Sequence, residues 1–296
     1  MTTPKTNFDP DWLERMYNNR ELVPDYAQYF TRWADASDDT REAHSCEMDV
    51  PYGNGPLEKI DVFPPSHLAP APKSKKGGPV VVFIHGGYWR SLDKSDQAFI
   101  APAFTNQGAC VMVPNYDLCP KVTIPDITMQ MVHAVAWAYR NAHRYGGNKN
   151  RITVIGHSAG GQLAAMLLLC NWQLVDKRLP KDVVKAAMSI SGLYDLEPLM
   201  HTPFLKADLR LTPEDVSRAS PSRLPKPKHG VLYTLVGADE SPEFVRQNTL
   251  IREAWGQKAV PVCEAIEGHN HFSLLEDLTA PWKRLHQLAS QMVMKA

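Results

Sequence analysis

The stretch Arg151-Ile152-Thr153-Val154-Ile155-Gly156-His157-Ser158-Ala159-Gly160-Gly161 decides how the rest of the chain is read. Ile152, Val154 and Ile155 form a β-branched run of the kind that makes a short buried strand. The run ends in Gly156-His157-Ser158-Ala159-Gly160, a G-x-S-x-G pattern. Beyond it, residues 161–169 are small and apolar on nearly all sides, as in a helix buried under a sheet. Strand, G-x-S-x-G and helix in immediate succession predict a sharp turn that holds Ser158 Oγ at the sheet's edge. The flanking glycines let strand and helix approach with no Cβ between them. The Ala159 N–H, at the helix N-terminus, points into the same space. G-x-S-x-G alone is also a common strand–helix turn; the flanking strand and helix separate the two readings.

Working outward, residues 79–84 (P-V-V-V-F-I) predict a fully buried strand running into His85-Gly86-Gly87-Tyr88-Trp89. A helix over 97–107, a strand over 109–114 and a long amphipathic helix from Pro125 to Tyr145-Gly146-Gly147 lead back to the central stretch. Downstream come a strand over 184–190 and a small helical insertion over 193–229. A strand over 231–236 then runs into Gly237-Ala238-Asp239-Glu240, followed by a helix over 243–256 and a strand over 260–266. The last helix, over 281–294, turns Trp282, Leu285, Ala289 and Met292 inward. Strands alternating with helices at this spacing predict an α/β fold, a mostly parallel sheet covered by helices on both faces.

The ends of the pattern are less regular. Two aromatic stripes, Trp12-Leu13-Met16-Tyr17 and Tyr26-Phe30-Trp33, make residues 1–40 a helical arm. It is expected on the domain's flank, or else over the mouth of the site. Two alternating stretches within 46–62 flank Pro51-Tyr52-Gly53-Asn54-Gly55 and predict an antiparallel hairpin at a sheet edge. Residues 64–78, with several prolines and Lys73, Lys75 and Lys76, read as an exposed loop. With 296 residues, the chain fits one domain spanning 1–296 better than two independent cores.

Composition excludes several classes. Formal net charge is zero and the pI about 7.2, so there is no electrostatic footprint for nucleic acid. No apolar run reaches the roughly 18 residues of a membrane span, and the first residues lack the apolar core of a secretory signal. Cys46, Cys110, Cys119, Cys170 and Cys263 are odd in number and scattered, as in a reduced cytoplasmic protein. Their spacing predicts no metal site. A small-molecule substrate is the expected partner, with self-association into a homo-oligomer left open.

A serine hydroxyl is a weak nucleophile and needs a base, which needs an orienting acid. When serine sits on such a turn, the chain order is serine, acid, histidine. Asp239 follows the end of a strand, where parallel sheets place functional groups, and is the expected acid, with Glu240 its competitor. Gly268-His269-Asn270-His271-Phe272 follows the last strand. His271 is preferred as the base because Phe272 can anchor its ring, and His269 then braces the loop. Gly86 and Gly87 are expected to supply oxyanion donors beside the Ala159 N–H. Tyr88, Trp89 and His157 are expected to line the substrate pocket, and His85 to brace its own loop.

The motifs His85-Gly86-Gly87-Tyr88-Trp89, Gly156-His157-Ser158-Ala159-Gly160-Gly161, Ser191-Gly192-Leu193-Tyr194-Asp195-Leu196 and His271-Phe272, with the early Tyr17-Asn18-Asn19-Arg20, resemble the kynurenine formamidase (arylformamidase) branch of the α/β-hydrolases. The similarity runs from about residue 15 to the end. It implies the α/β-hydrolase fold and a cofactor-free serine hydrolase, with Ser158, Asp239 and His271 on the family's triad. Lipase-like relatives usually carry a third glycine where this chain has Tyr88. The implied reaction is cleavage of an aryl formamide such as N-formylkynurenine, with hydrolysis of small or aryl esters as the alternative.

Overall fold

The computed structural model of the chain describes residues 8–69 and 76–296. The N-terminal arm folds as α1 (Pro10–Tyr17), a single turn α2 (Asn19–Leu22) and the long α3 (Tyr26–Ala43). The hairpin β1 (Glu47–Pro51) and β2 (Lys59–Phe63) follows, then β3 (Gly78–Ile84). Lys73 and Lys75 of the expected loop lie outside the described residues. A 3-10 turn over Lys94–Ile100 runs into α4 (Ala101–Thr105), where the sequence suggests one helix. Next come β4 (Cys110–Pro114), α5 (Ile124–Asn141), β5 (Gly147–His157), α6 (Ala159–Leu169), α7 (Trp172–Val175) and β6 (Val184–Ile190). The insertion is three short helices, α8 (Glu197–His201), α9 (Pro203–Leu209) and α10 (Pro213–Ala219). The chain closes with β7 (Leu232–Gly237), α11 (Pro242–Trp255), β8 (Val262–Ile266), α12 (Ser273–Glu276) and α13 (Arg284–Lys295).

The eight strands form one sheet in the order β1-β2-β4-β3-β5-β6-β7-β8. β2 is antiparallel to both β1 and β4, and every pairing from β4 to β8 is parallel. Alternation along β3 feeds two cores. Val80, Val82 and Ile84 join Met131 and Leu163 on one face, while Val81 and Phe83 join Trp33, Leu285 and Ala289 on the other. Both faces being covered explains why β3 is buried at every position. Trp282 departs from expectation. It precedes α13 and is 76% exposed, so the inward stripe of the last helix begins at Leu285. Among the described residues, no helix is long and apolar enough to cross a membrane.

Parallel strands set the site. The ends of β3, β5, β6, β7 and β8 face one way, so the loops after them meet along a single edge of the sheet.

Candidate active site

Ser158 sits between β5 and α6 with φ 55° and ψ −118°. This left-handed backbone costs a non-glycine residue about 1–2 kcal/mol. It is fixed by the Ser158 N–H donating to the Ile190 carbonyl at 2.7 Å. It is fixed also by the close seating of α6, where a Cβ on Gly160 would lie 2.1 Å from the Ile84 carbonyl oxygen. Ala159 is the first residue of α6 and fully buried, and its N–H belongs to the helical turn that has no intrahelical acceptor.

The loop after β3 approaches the serine from the neighbouring strand. A Cβ built on Gly86 would lie 3.1 Å from Ser158 Cβ. Gly87, Tyr88 and Trp89 all have positive φ, at 100°, 52° and 55°. The left-handed turn is closed by Arg90 N–H and Ser91 N–H donating to the Gly87 carbonyl, each at 3.1 Å, and by the Ser91 hydroxyl at 3.0 Å. Tyr88 donates its hydroxyl to the Tyr17 carbonyl at 2.6 Å and packs edge-on against Phe204, so its ring forms part of the pocket wall. Trp89 does not line the pocket as expected. Its backbone turn sends the indole into the core, 0% exposed, with the N–H donating to Gln162 Oε1 at 3.3 Å. His85 braces the loop, stacked on Tyr116 at 4.1 Å with Nδ1 2.9 Å from the Gly86 carbonyl. Burial holds its pKa below the ordinary histidine value.

His271 follows β8 and is buried. Its Nδ1–H donates to Glu240 Oε2 at 2.7 Å. Glu240 Oε1 accepts from the Gly237 N–H at 2.8 Å and from the Ser191 hydroxyl, so both carboxylate oxygens are held. The acid on the imidazole is therefore Glu240 and not Asp239. The Glu240 N–H donates to the Gly237 carbonyl, closing a turn just after β7 that leaves Asp239 exposed while Glu240 points back into the fold. The longer glutamate side chain spans the distance from that turn to the imidazole. Of the two histidines after β8, only His271 reaches this carboxylate. His269 Nε2 lies 2.9 Å from Asp277 Oδ2, beside the site's supporting loop.

His157 lines the cleft but is 4% exposed, and it mainly braces. Its Nε2–H donates to the His271 carbonyl at 2.8 Å, fixing the backbone that carries the base. Burial first, then the nearby His271 ring, push its pKa down to about 3, so it stays neutral at any ordinary pH.

Ser158, His271, His157, Gly87 and Tyr88 share a cleft of about 350 Å3. Its opposite wall is the N-terminal arm, with Asn18, Asn19, Arg20, Tyr26, Phe30 and Trp33. The arm thus covers the mouth as well as packing on the flank. Sequence reasoning found its aromatic stripe but assigned none of these residues to the site. The signal available was the stripe itself, more aromatic than flank packing requires.

Residues 67–213 match the family described as BD-FAE. Over 255 residues the chain is 33% identical to kynurenine formamidase of Danio rerio, covering 84% of this chain and 82% of that one. It is 31% identical over 258 residues to kynurenine formamidase of Salmo salar, with the same coverage. A solved structure from Silicibacter sp., described as a candidate thioesterase, superimposes with TM-score 0.78 at 30% identity, covering 95% of this chain and 97% of that one. An esterase from Pyrobaculum calidifontis superimposes with TM-score 0.67 at 19% identity, covering 98% and 97%. The fold is that of the α/β-hydrolases, and the chain is a hydrolytic enzyme. With a third of the aligned residues shared over most of both chains, it belongs to the kynurenine formamidase family.

Proposed function

We propose that this protein is a serine hydrolase that cleaves aryl formamides of the N-formylkynurenine type to the aryl amine and formate. The observation that carries the reading is the His271–Glu240 pair, buried and hydrogen-bonded, in one cleft with a serine held on a strained strand–helix turn.

In this reading Ser158 Oγ attacks the formyl carbon while His271 takes its proton through Nε2, the nitrogen left free by the bond from Nδ1 to Glu240. Glu240 holds that tautomer and stabilises the imidazolium that forms. The Gly87 and Ala159 N–H groups receive the oxyanion, at roughly 3–4 kcal/mol for each donor removed. Gly86 contributes by leaving room beside Ser158. The C–N bond then breaks as His271 returns the proton to the nitrogen, releasing the aryl amine and leaving a formyl ester on Ser158. Water, deprotonated by His271, attacks that ester. Formate leaves and Ser158 regains its proton.

An aniline-type nitrogen is far less basic than an alkyl amine, so an esterase-like site can expel it. The cleft's rings, Tyr26, Phe30, Trp33, Tyr88, Phe204 and Phe272, suit an aryl substrate. The five free cysteines fit a reducing cytoplasm. Measuring kcat/KM for N-formylkynurenine against phenyl acetate tests the assignment, with the formamide expected to be the better substrate. Good turnover of phenyl acetate with none of the formamide would make this an aryl esterase.

A further inference from the structure

We propose that Arg20 is a specificity-determining residue: its guanidinium binds a carboxylate that the aryl substrate carries away from the scissile bond. This rests on reading the cleft as the hydrolytic site.

Arg20 lies on the one-turn helix α2 and lines the cleft shared with Ser158 and His271. Its guanidinium lies 5.5 Å from the Tyr26 ring centroid and 5.6 Å from that of Phe30. Phe30 meets Phe272 edge-on at 5.4 Å, and Phe272 meets the His271 ring at 5.4 Å. A run of rings thus connects the cation to the base, and an aryl group against those rings would direct a substituent toward Arg20. The charge is not spent inside the protein. Arg90, the other arginine of the cleft, is ion-paired with Asp208. Among the described residues, no carboxylate lies at ion-pairing distance from Arg20, Glu21 beside it included. Its polar partner is the Ser91 hydroxyl, at 3.5 Å.

Glu21 lines the same cleft without pairing with Arg20. An exposed guanidinium with no carboxylate partner, at the end of that run of rings, fits a ligand group that brings acceptor oxygens and negative charge. A planar carboxylate matches the guanidinium fork, which a neutral ester tail cannot do.

The test compares two esters of similar reactivity, phenyl acetate and 3-(2-acetoxyphenyl)propanoate, in wild type, Arg20→Gln and Arg20→Lys. The wild type is expected to favour the anionic ester. Arg20→Gln should lower the anionic-to-neutral ratio of kcat/KM by about 10-fold, mainly through KM, as loss of one charge-assisted contact implies. Arg20→Lys should restore part of the ratio, since it keeps the charge without the fork. An unchanged ratio in Arg20→Gln overturns the proposal, whether both rates hold or both fall together. Because both probes are esters, the ratio is read whether or not aryl formamides are substrates, and failure here leaves the formamide reading standing.

Discussion

The sheet-edge wall of the cleft and the wall supplied by the N-terminal arm are held by different means. On the sheet edge, Ser158 is fixed by backbone, through a left-handed φ, the bond from its N–H to Ile190 and the contact of α6 with β3. Glu240 is fixed by two donors from neighbouring strand ends, and His271 by that carboxylate and by His157. The arm is attached largely through side chains. Tyr88 donates to the Tyr17 carbonyl, Ser241 to the Met16 carbonyl at 2.6 Å, and Tyr17 to Glu243 at 2.6 Å. The difference separates two properties. In this reading the bond-making residues sit where the fold itself is over-determined, whereas the proposed selecting residue, Arg20, is an exposed side chain on a one-turn helix that can change without disturbing the sheet.

Substitutions on the rigid wall should break chemistry without breaking the fold. Ser158→Ala should lower kcat by at least about 10^4-fold, leaving what the oxyanion donors and binding supply. Circular dichroism should show the fold intact, and more than a few per cent of residual kcat would remove Ser158 from its role. Glu240→Gln should cost about 10^3- to 10^4-fold in kcat, because the imidazole loses its orienting carboxylate. Asp239→Asn, one residue away and exposed, should stay within about 3-fold of wild type, as surface substitutions usually do. The reverse ranking of these two variants would restore Asp239 as the acid.

A smaller effect concerns the brace beneath the base. The unfolded chain protonates His157 below about pH 6.5, whereas in the folded protein its pKa is about 3. Its contribution to stability is therefore full above pH 6.5 and is lost as the pH falls from there toward 3. At pH 5 the loss is about 2 kcal/mol. Urea melts between pH 7 and pH 5 should show this slope in wild type and a shallower one in His157→Gln. Equal slopes would mean the ring is not held neutral by the fold.

Smallest is the tether between the walls. Tyr88→Phe keeps the ring but removes the bond to the Tyr17 carbonyl. It should lower stability by about 1 kcal/mol, read as a shift in the urea midpoint. No shift in the midpoint would show that the arm is held elsewhere.

How far the sequence carried the reading follows the same division. The strands and helices, the sharp turn at Ser158, His271 and the glycine loop after β3 rest on local patterns, since β-branched runs, G-x-S-x-G and H-G-G each encode their own backbone. Glu240 depended on how the turn at the end of β7 rotates two adjacent acids, and the Ser191 hydroxyl that helps hold it comes from the loop after β6. Trp89 looks like a pocket residue beside Tyr88, but consecutive left-handed residues send the two rings to opposite places. Trp282 fitted the helical stripe by spacing, yet the helix starts two residues later. The arm wall is the furthest from legible, because residues near position 20 meet residues near 271 only through the tertiary fold.

In the proposed reaction Ser158 carries the acyl group between the two halves of the cycle. Wild-type enzyme mixed with N-formylkynurenine and quenched in acid within one turnover, then digested and analysed by mass spectrometry, tests it directly. One formyl group is expected on the peptide carrying Ser158, none in Ser158→Ala, and the adduct should disappear once substrate is exhausted. Aryl amine released in a burst with an unmodified Ser158 peptide, or a formyl group on another residue, would contradict it.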